Sequence, residues 1–153
     1  MFITKEDLGN VIYDYQLDQI TEGNDDIVAQ GIAAAIEEAK SYLTPNPEDK
    51  KWLDGRLLYD VEAIFGATDL DRNPLIIRHC CTIAKWHIAD LCNADFIYEK
   101  AKERYDRAVS WFNKIANGTT NLSSLPQLVR NEDTVGDKQP FEFGSRAKFN
   151  HDY

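Results

Sequence analysis

Asn73-Pro74-Leu75-Ile76-Ile77-Arg78-His79-Cys80-Cys81-Thr82-Ile83-Ala84-Lys85-Trp86-His87-Ile88-Ala89-Asp90-Leu91-Cys92 decides the fold class. Asn73 is a residue type that caps helices by accepting from their first free N–H groups. Pro74 then suits the first helical position, where its missing N–H removes no bond. Ile76, Cys80, Ile83, Ala84, His87 and Leu91 recur at three- and four-residue spacing, which is the period of one helix face. The stretch therefore predicts a helix from Pro74 to about Cys92.

Two flanking segments repeat that period. From Asn24 to Leu43, the residues Val28, Ile32, Ala35, Ile36, Ala39, Tyr42 and Leu43 form a stripe. Asn24 is its cap, Asp25 and Asp26 complement the positive end of the helix dipole, and Thr44-Pro45-Asn46-Pro47 is its stop. Gly31, near the edge of this stripe, predicts close approach of a neighbouring helix rather than a ligand role. From about Phe96 to Asn117 the stripe is Tyr98, Ala101, Tyr105, Ala108, Phe112, Ile115 and Ala116, with Gly118 as terminator. The short Asn93-Ala94-Asp95 link makes the second and third helices an antiparallel hairpin. Glu103 and Arg107 form an i, i+4 pair on the solvent face.

Working outward, Thr4 to Leu8 reads as a cap and first turn, Tyr15 to Ile20 as a second short helix, and Asp60 to Phe65 as one further turn. Residues 119–153 have no sustained period and scatter Phe141, Phe143, Phe149 and Tyr153 through polar sequence. They predict an arm that docks on something rather than building a core. The expected architecture is all-α: a small helical bundle with three main helices over residues 1–118 and an extended C-terminal arm over 119–153. The expected core is Val28, Ile32, Ile36, Ile76, Ile83, His87, Leu91, Tyr105, Phe112 and Ile115.

Composition narrows the function classes. The chain has 153 residues with 43% hydrophobic side chains, enough for one domain with a core, and carries 17 basic against 26 acidic groups. A net charge of −9 argues against a nucleic-acid binder driven by phosphate neutralisation. No run of eighteen apolar residues exists, and Met1 to Asp7 lacks the layout of a signal peptide, so a cytoplasmic protein away from membranes is expected. Three cysteines, two of them adjacent, are read as free thiols rather than a disulfide framework.

Catalytic and metal chemistry find no foothold. Cys80 and His87 share a face, but seven residues at about 1.5 Å rise set their backbones roughly 10 Å apart, a poor fit to one zinc ion. His87 is read as a core histidine with a bonded nitrogen, and a metal site would need recruits such as His151. There is no nucleophile elbow and no phosphate-binding glycine loop. Carboxylate pairs such as Glu37/Glu38 are read as solvated faces. The expectation is no enzyme, no metal and no cofactor.

Charge is unevenly spread along the chain. Residues 1–71 hold 5 basic and 16 acidic groups, residues 72–118 hold 8 and 5, and residues 119–153 hold 4 and 5. Lys100, Arg104, Arg107 and Lys114 fall along one stripe of the third helix. Such a stripe is either a solvated face or a surface for an acidic partner, and an identical subunit joined head to tail would supply one.

The order of features resembles a known family. Thr4-x-x-Asp7-Leu8, Ala39-Lys40-Ser41-Tyr42-Leu43, Tyr59-Asp60 with Ile64-Phe65, Arg72-Asn73-Pro74, Ile83-Ala84-Lys85-Trp86-His87-Ile88 and Ile115-Ala116-Asn117-Gly118 together resemble the head-to-tail connectors of Mu-like phages and prophages. The closing run Gly144 to Tyr153 is similar to the ending of Bacteroidetes prophage members, while residues 45–58 read as an insertion. The resemblance implies a non-enzymatic virion protein that forms a ring, usually twelvefold, beneath the portal. Such a ring is made in the bacterial cytoplasm and incorporated into the virion neck, where it meets the portal and the next neck or tail-completion protein. DNA would pass through it without sequence-specific binding. The subunit or partner interface expected on this basis comprises Lys100, Arg104, Arg107 and Lys114 with Phe141, Phe143, Arg146, Phe149 and Tyr153 of the arm. The alternative is a monomeric or dimeric helical regulatory module of phage origin without a virion role.

Overall fold

Capping chemistry sets the helix starts. In the computed structural model, which describes residues 1–45, 56–93 and 95–128 (of 95–98 the backbone only), Asn24 Oδ1 accepts from Asp26 N at 3.0 Å and opens α2 (Asp25–Leu43). It follows α1 (Asp14–Thr21), which comes after a 3₁₀ turn at Glu6–Asn10. Asp60 Oδ1 accepts from Ala63 N at 2.9 Å and opens α3 (Val61–Gly66). Asn73 Oδ1 accepts from Leu75 N and Ile76 N and, with Pro74 in the first turn, opens α4 (Pro74–Leu91). The last helix, α5, spans Asp95–Ala116. No strand occurs among the described residues, so the fold is all-α.

The core is one cluster in which α4 is central, packing against α2 on one side and α5 on the other. Gly31 permits the first contact: a Cβ there would lie 2.4 Å from Ile88 Cγ1 and 3.3 Å from the Ile88 backbone nitrogen. Gly31→Ala gains helix propensity of about 1 kcal/mol but forces α2 and α4 apart. A net destabilisation of about 1–3 kcal/mol is expected, read as a lowered denaturation midpoint. A neutral or stabilising change would mean that the Ile88 side chain simply turns aside.

The motifs at the first 3₁₀ turn and at the start of α4 meet in space. Arg72 Nη1 reaches Asp7 Oδ2 at 2.7 Å and also donates to Phe2 O at 2.9 Å, while Thr4 N donates to Asp7 Oδ2 at 2.9 Å. Burial pushes the Asp7 carboxyl up, but the Arg72 and Thr4 hydrogen bonds outweigh it and hold the group below its usual value. The turn before α1 is thereby clamped to the start of α4.

The expected core is corrected at three places. Leu91 is 47% exposed, because the packed face of α4 swings through Ile83, Ala84, Ile88 and Ala89 instead. His87 and Tyr105 are half-buried at the edge of the cluster, where their polar atoms find a shared partner described below. The other seven residues are buried.

The segment after α5 also differs from expectation. Gly118 adopts φ +72° and terminates the helix as its position predicts, with Arg56 Nη1 donating to Ala116 O at 2.9 Å over the last turn. Residues 119–128 then return across their own domain. Leu122 N donates to Tyr59 Oη at 2.9 Å, Asp60 N donates to Pro126 O at 3.0 Å and Leu128 N to Leu58 O at 2.9 Å, and Leu125 is buried. The boundary therefore moves outward from 118 to about 128. The rest of the expected arm, 129–153, and most of the expected insertion, 46–55, lie outside the described residues.

Candidate interaction surface

Exposure and charge converge on the outer side of α4. Between α4, α5 and the Asn10–Val11 end of the first 3₁₀ turn lies an open cleft of ≈ 540 Å³ that presents Arg78, Lys85, Arg104 and Arg107, with Asn10 and Thr82 as further polar groups. Among the described residues no carboxylate lines it. The local sequence explains the arrangement. Arg78, Thr82 and Lys85 follow i, i+4, i+7 on the face of α4 opposite its apolar stripe, while Arg104 and Arg107 are one turn apart on α5.

Several other cations of the domain have acidic partners, although Lys100 and Lys114 have none among the described residues. Lys5 meets Asp18 and Asp25, Lys40 meets Glu37, Arg72 meets Asp7 and Lys102 meets Asp106. In the cleft, Arg107 pairs with Glu103 at 2.9 Å as its spacing predicts, but both partners are about two-thirds exposed and the pair is weak. Arg78 and Arg104 have no ion-pair partner among the described residues. Lys85 Nζ donates only to Val11 O, at 3.1 Å, and burial followed by the charge of Arg104 pulls its ammonium pKa down.

The residues expected at an interface divide between the cleft, the rest of α5 and the residues outside the described ones. Lys100, Arg104, Arg107 and Lys114 are all exposed on α5, and Arg104 and Arg107 line the cleft whereas Lys100 and Lys114 do not. Phe141, Phe143, Arg146, Phe149 and Tyr153 lie outside the described residues. Arg78 and Lys85 were missed, although their seven-residue spacing opposite the apolar stripe was the signal.

A second polar cluster sits where the three main helices meet. Glu38 Oε1 of α2 accepts from Tyr105 Oη at 2.7 Å and from Tyr42 Oη at 3.3 Å, and Glu38 Oε2 accepts from His87 Nε2 at 2.7 Å. Burial, then the Glu38 hydrogen bond, pushes the Tyr105 phenol well above its ordinary range, so it stays a donor. Glu38 is therefore a junction between helices and not the solvated carboxylate expected, whereas Glu37 is exposed. Glu38→Ala strands three donors and should cost about 1–3 kcal/mol, while Glu38→Gln, which can still accept, should cost less. Equal losses in chemical denaturation would show that the charge, not the acceptor, matters.

The cysteine and histidine neighbourhood behaves as packing. Among the described residues no group of three potential ligands comes together; His151 lies outside them. Cys80 and Cys81 are buried free thiols, and burial, with the charge of Asp7, pushes Cys81 up to about 12. His79 stacks on Trp111 with ring centroids 4.1 Å apart, and burial, then Arg78, lowers its pKa below 6.5.

The sign of the resulting pH dependence follows. Between the folded value and 6.5, the unfolded chain holds a proton at His79 that the native state lacks, so stability falls as pH drops through that window. Asp7 adds a second loss near and below 3.8, where its native salt bridge is protonated away. Thermal midpoints should fall from pH 7.5 to pH 5, and His79→Phe, which keeps the stack without the titration, should flatten that slope. An unchanged slope would assign the effect elsewhere.

Comparison of the chain with family models, curated proteins and solved structures finds no match.

Proposed function

We propose that this chain is a structural virion protein: a ring-forming head-to-tail connector that joins the portal of a tailed-phage capsid to the neck and tail. The observation that carries the reading is the one-sided charge of an all-α bundle. A cationic cleft with no carboxylate among its described lining residues opens on the outer side of α4, in a chain of net charge −9 whose acidic groups concentrate in residues 1–71. Such a molecule complements another copy of itself, and heterologous contacts of that kind close into rings.

The resemblance of the ordered motifs supplies the setting. The partners are further copies of the chain in a twelvefold ring, the portal protein above, and the next neck or tail-completion protein below. The ring forms in the bacterial cytoplasm and resides in the virion neck, with DNA passing through it and without catalysis or cofactor. Mass measurement of the full chain, alone and mixed with the portal, tests the reading. Ring-sized particles, or ring formation on portal addition, are expected. A concentration-independent monomer or dimer that ignores the portal would instead assign a small helical regulatory module.

A further inference from the structure

We infer that the α4–α5 cleft is the socket for a second copy of this chain, and that the part it receives is the outer face of α2 carrying Asp26, Gln30, Ala33 and Glu37. The inference rests on the self-assembly part of the proposed function and specifies its contact. The first ground is the uncompensated charge. Arg78, Lys85 and Arg104 converge on one cleft with no carboxylate in its lining among the described residues, which sets them apart from the scattered cations Lys100 and Lys114 and from Lys5, Lys40, Arg72 and Lys102, which have acidic partners.

The second ground is what α2 offers. Its buried residues, Val28, Gly31, Ile32, Ala35, Ile36, Ala39 and Leu43, face the bundle, and Asp26, Gln30, Ala33 and Glu37 follow the opposite stripe in solvent. Asp26 has no ion-pair partner among the described residues, and Glu37 has only Lys40 at 3.6 Å. Ala29, Ala33 and Ala34 are exposed as well, which lets another helix pair approach this face closely. The stripe is rich in small residues with a carboxylate toward each end, and the cleft lies between two helices with cations along it. The two fit as a helix laid in a groove.

The third ground is direction. No α2 residue lines the cleft, so socket and insert are separate surfaces of one molecule. Contact between copies is then heterologous, and each added subunit leaves a socket for the next. A phosphate backbone is disfavoured as occupant, because the long-range field of a chain at −9 repels polyanions.

The test uses the full chain and two double variants. Arg78→Glu with Arg104→Glu spoils the socket, and Asp26→Lys with Glu37→Lys spoils the insert; all four residues are exposed, and circular dichroism checks that both variants fold. Sedimentation velocity at 50 and 500 mM salt should show self-association of the wild type, weakened about tenfold or more by high salt and by either double variant. Mixing the two variants should restore assembly that neither shows alone, since the intact insert of one meets the intact socket of the other and the two reversed faces complement each other as well. Combining all four reversals in one chain should restore association.

The contact is overturned if the wild type stays monomeric throughout, if the α2 variant associates like wild type, or if the mixed variants do not pair. Binding of a short DNA duplex or inorganic phosphate that only the socket variant loses, without self-association, would give the cleft to phosphate and overturn it equally. Rings that persist in both variants would remove this contact but leave the connector reading standing. Self-association of a wild-type chain that never closes a ring or joins the portal would keep the contact and remove the connector reading.

Discussion

Phe112→Ala is expected to destabilise the domain by about 3–5 kcal/mol, a large share of the roughly 5–15 kcal/mol that holds a domain of this kind folded. Phe112 on α5 is wholly buried, with Tyr42 of α2 stacked at 6.0 Å between centroids and the edges of Trp111 at 5.1 Å and His79 at 6.2 Å. It thus joins side chains of all three main helices. Removing the ring deletes its transfer free energy and leaves a hole that its flat neighbours fill only in part. Urea denaturation should show the midpoint fall with little change in slope, and a loss under about 1 kcal/mol would mean that Tyr42 and Trp111 collapse into the space.

Ile83→Ala should cost about 2–5 kcal/mol, and Ile83→Val only about 0.5–1.5. Ile83 is fully buried in the middle of α4, the helix packed by α2 on one side and α5 on the other. A cavity there has walls on two helices, and α4 cannot move toward one without leaving the other, so relaxation is small for the volume removed. Comparing Ile83→Ala with Phe112→Ala separates rigid from adaptable surroundings: the alanine variants should differ less than the sizes of the deleted groups imply. If Ile83→Ala proves nearly neutral, α4 is not the fixed centre of the bundle.

Both variants concern stability, and neither residue itself lines the cleft, although Phe112 packs behind His79 of its wall. They should therefore lower melting temperatures without changing the salt dependence of association in whatever fraction stays folded. The reversals at Arg78, Arg104, Asp26 and Glu37 should do the opposite. That separation distinguishes the core from the surface proposed to carry function.

The sequence by itself determined the helices and their starts. Asn24, Asp60 and Asn73 each accept from N–H groups two or three residues ahead, a local bond that needs no tertiary partner. The apolar stripes specified buried faces to within one helical position, erring at Leu91, where a stripe of period 3.6 can rotate about its axis at no cost to the pattern. Gly31 was legible because a glycine inside a good helix is unfavourable unless something occupies its missing Cβ space. The resemblance to phage connectors came from motif order alone, and the fold adds that two of those motifs, at Asp7 and Arg72, are joined by a salt bridge.

Only the tertiary structure decided what crosses between elements. Glu38 reads like any acid beside Glu37 until Tyr42, His87 and Tyr105 arrive from one turn ahead and from two other helices. The 119–128 strap reads as an outward arm because its bonds to Leu58, Tyr59 and Asp60 join residues some sixty to seventy positions apart. The basic cleft likewise needed α4 and α5 side by side before Arg78 and Lys85 joined Arg104 and Arg107. Periodicity and capping act over a few residues and are written into the chain, whereas a charge's partner is fixed by three-dimensional distance, which helix packing alone supplies.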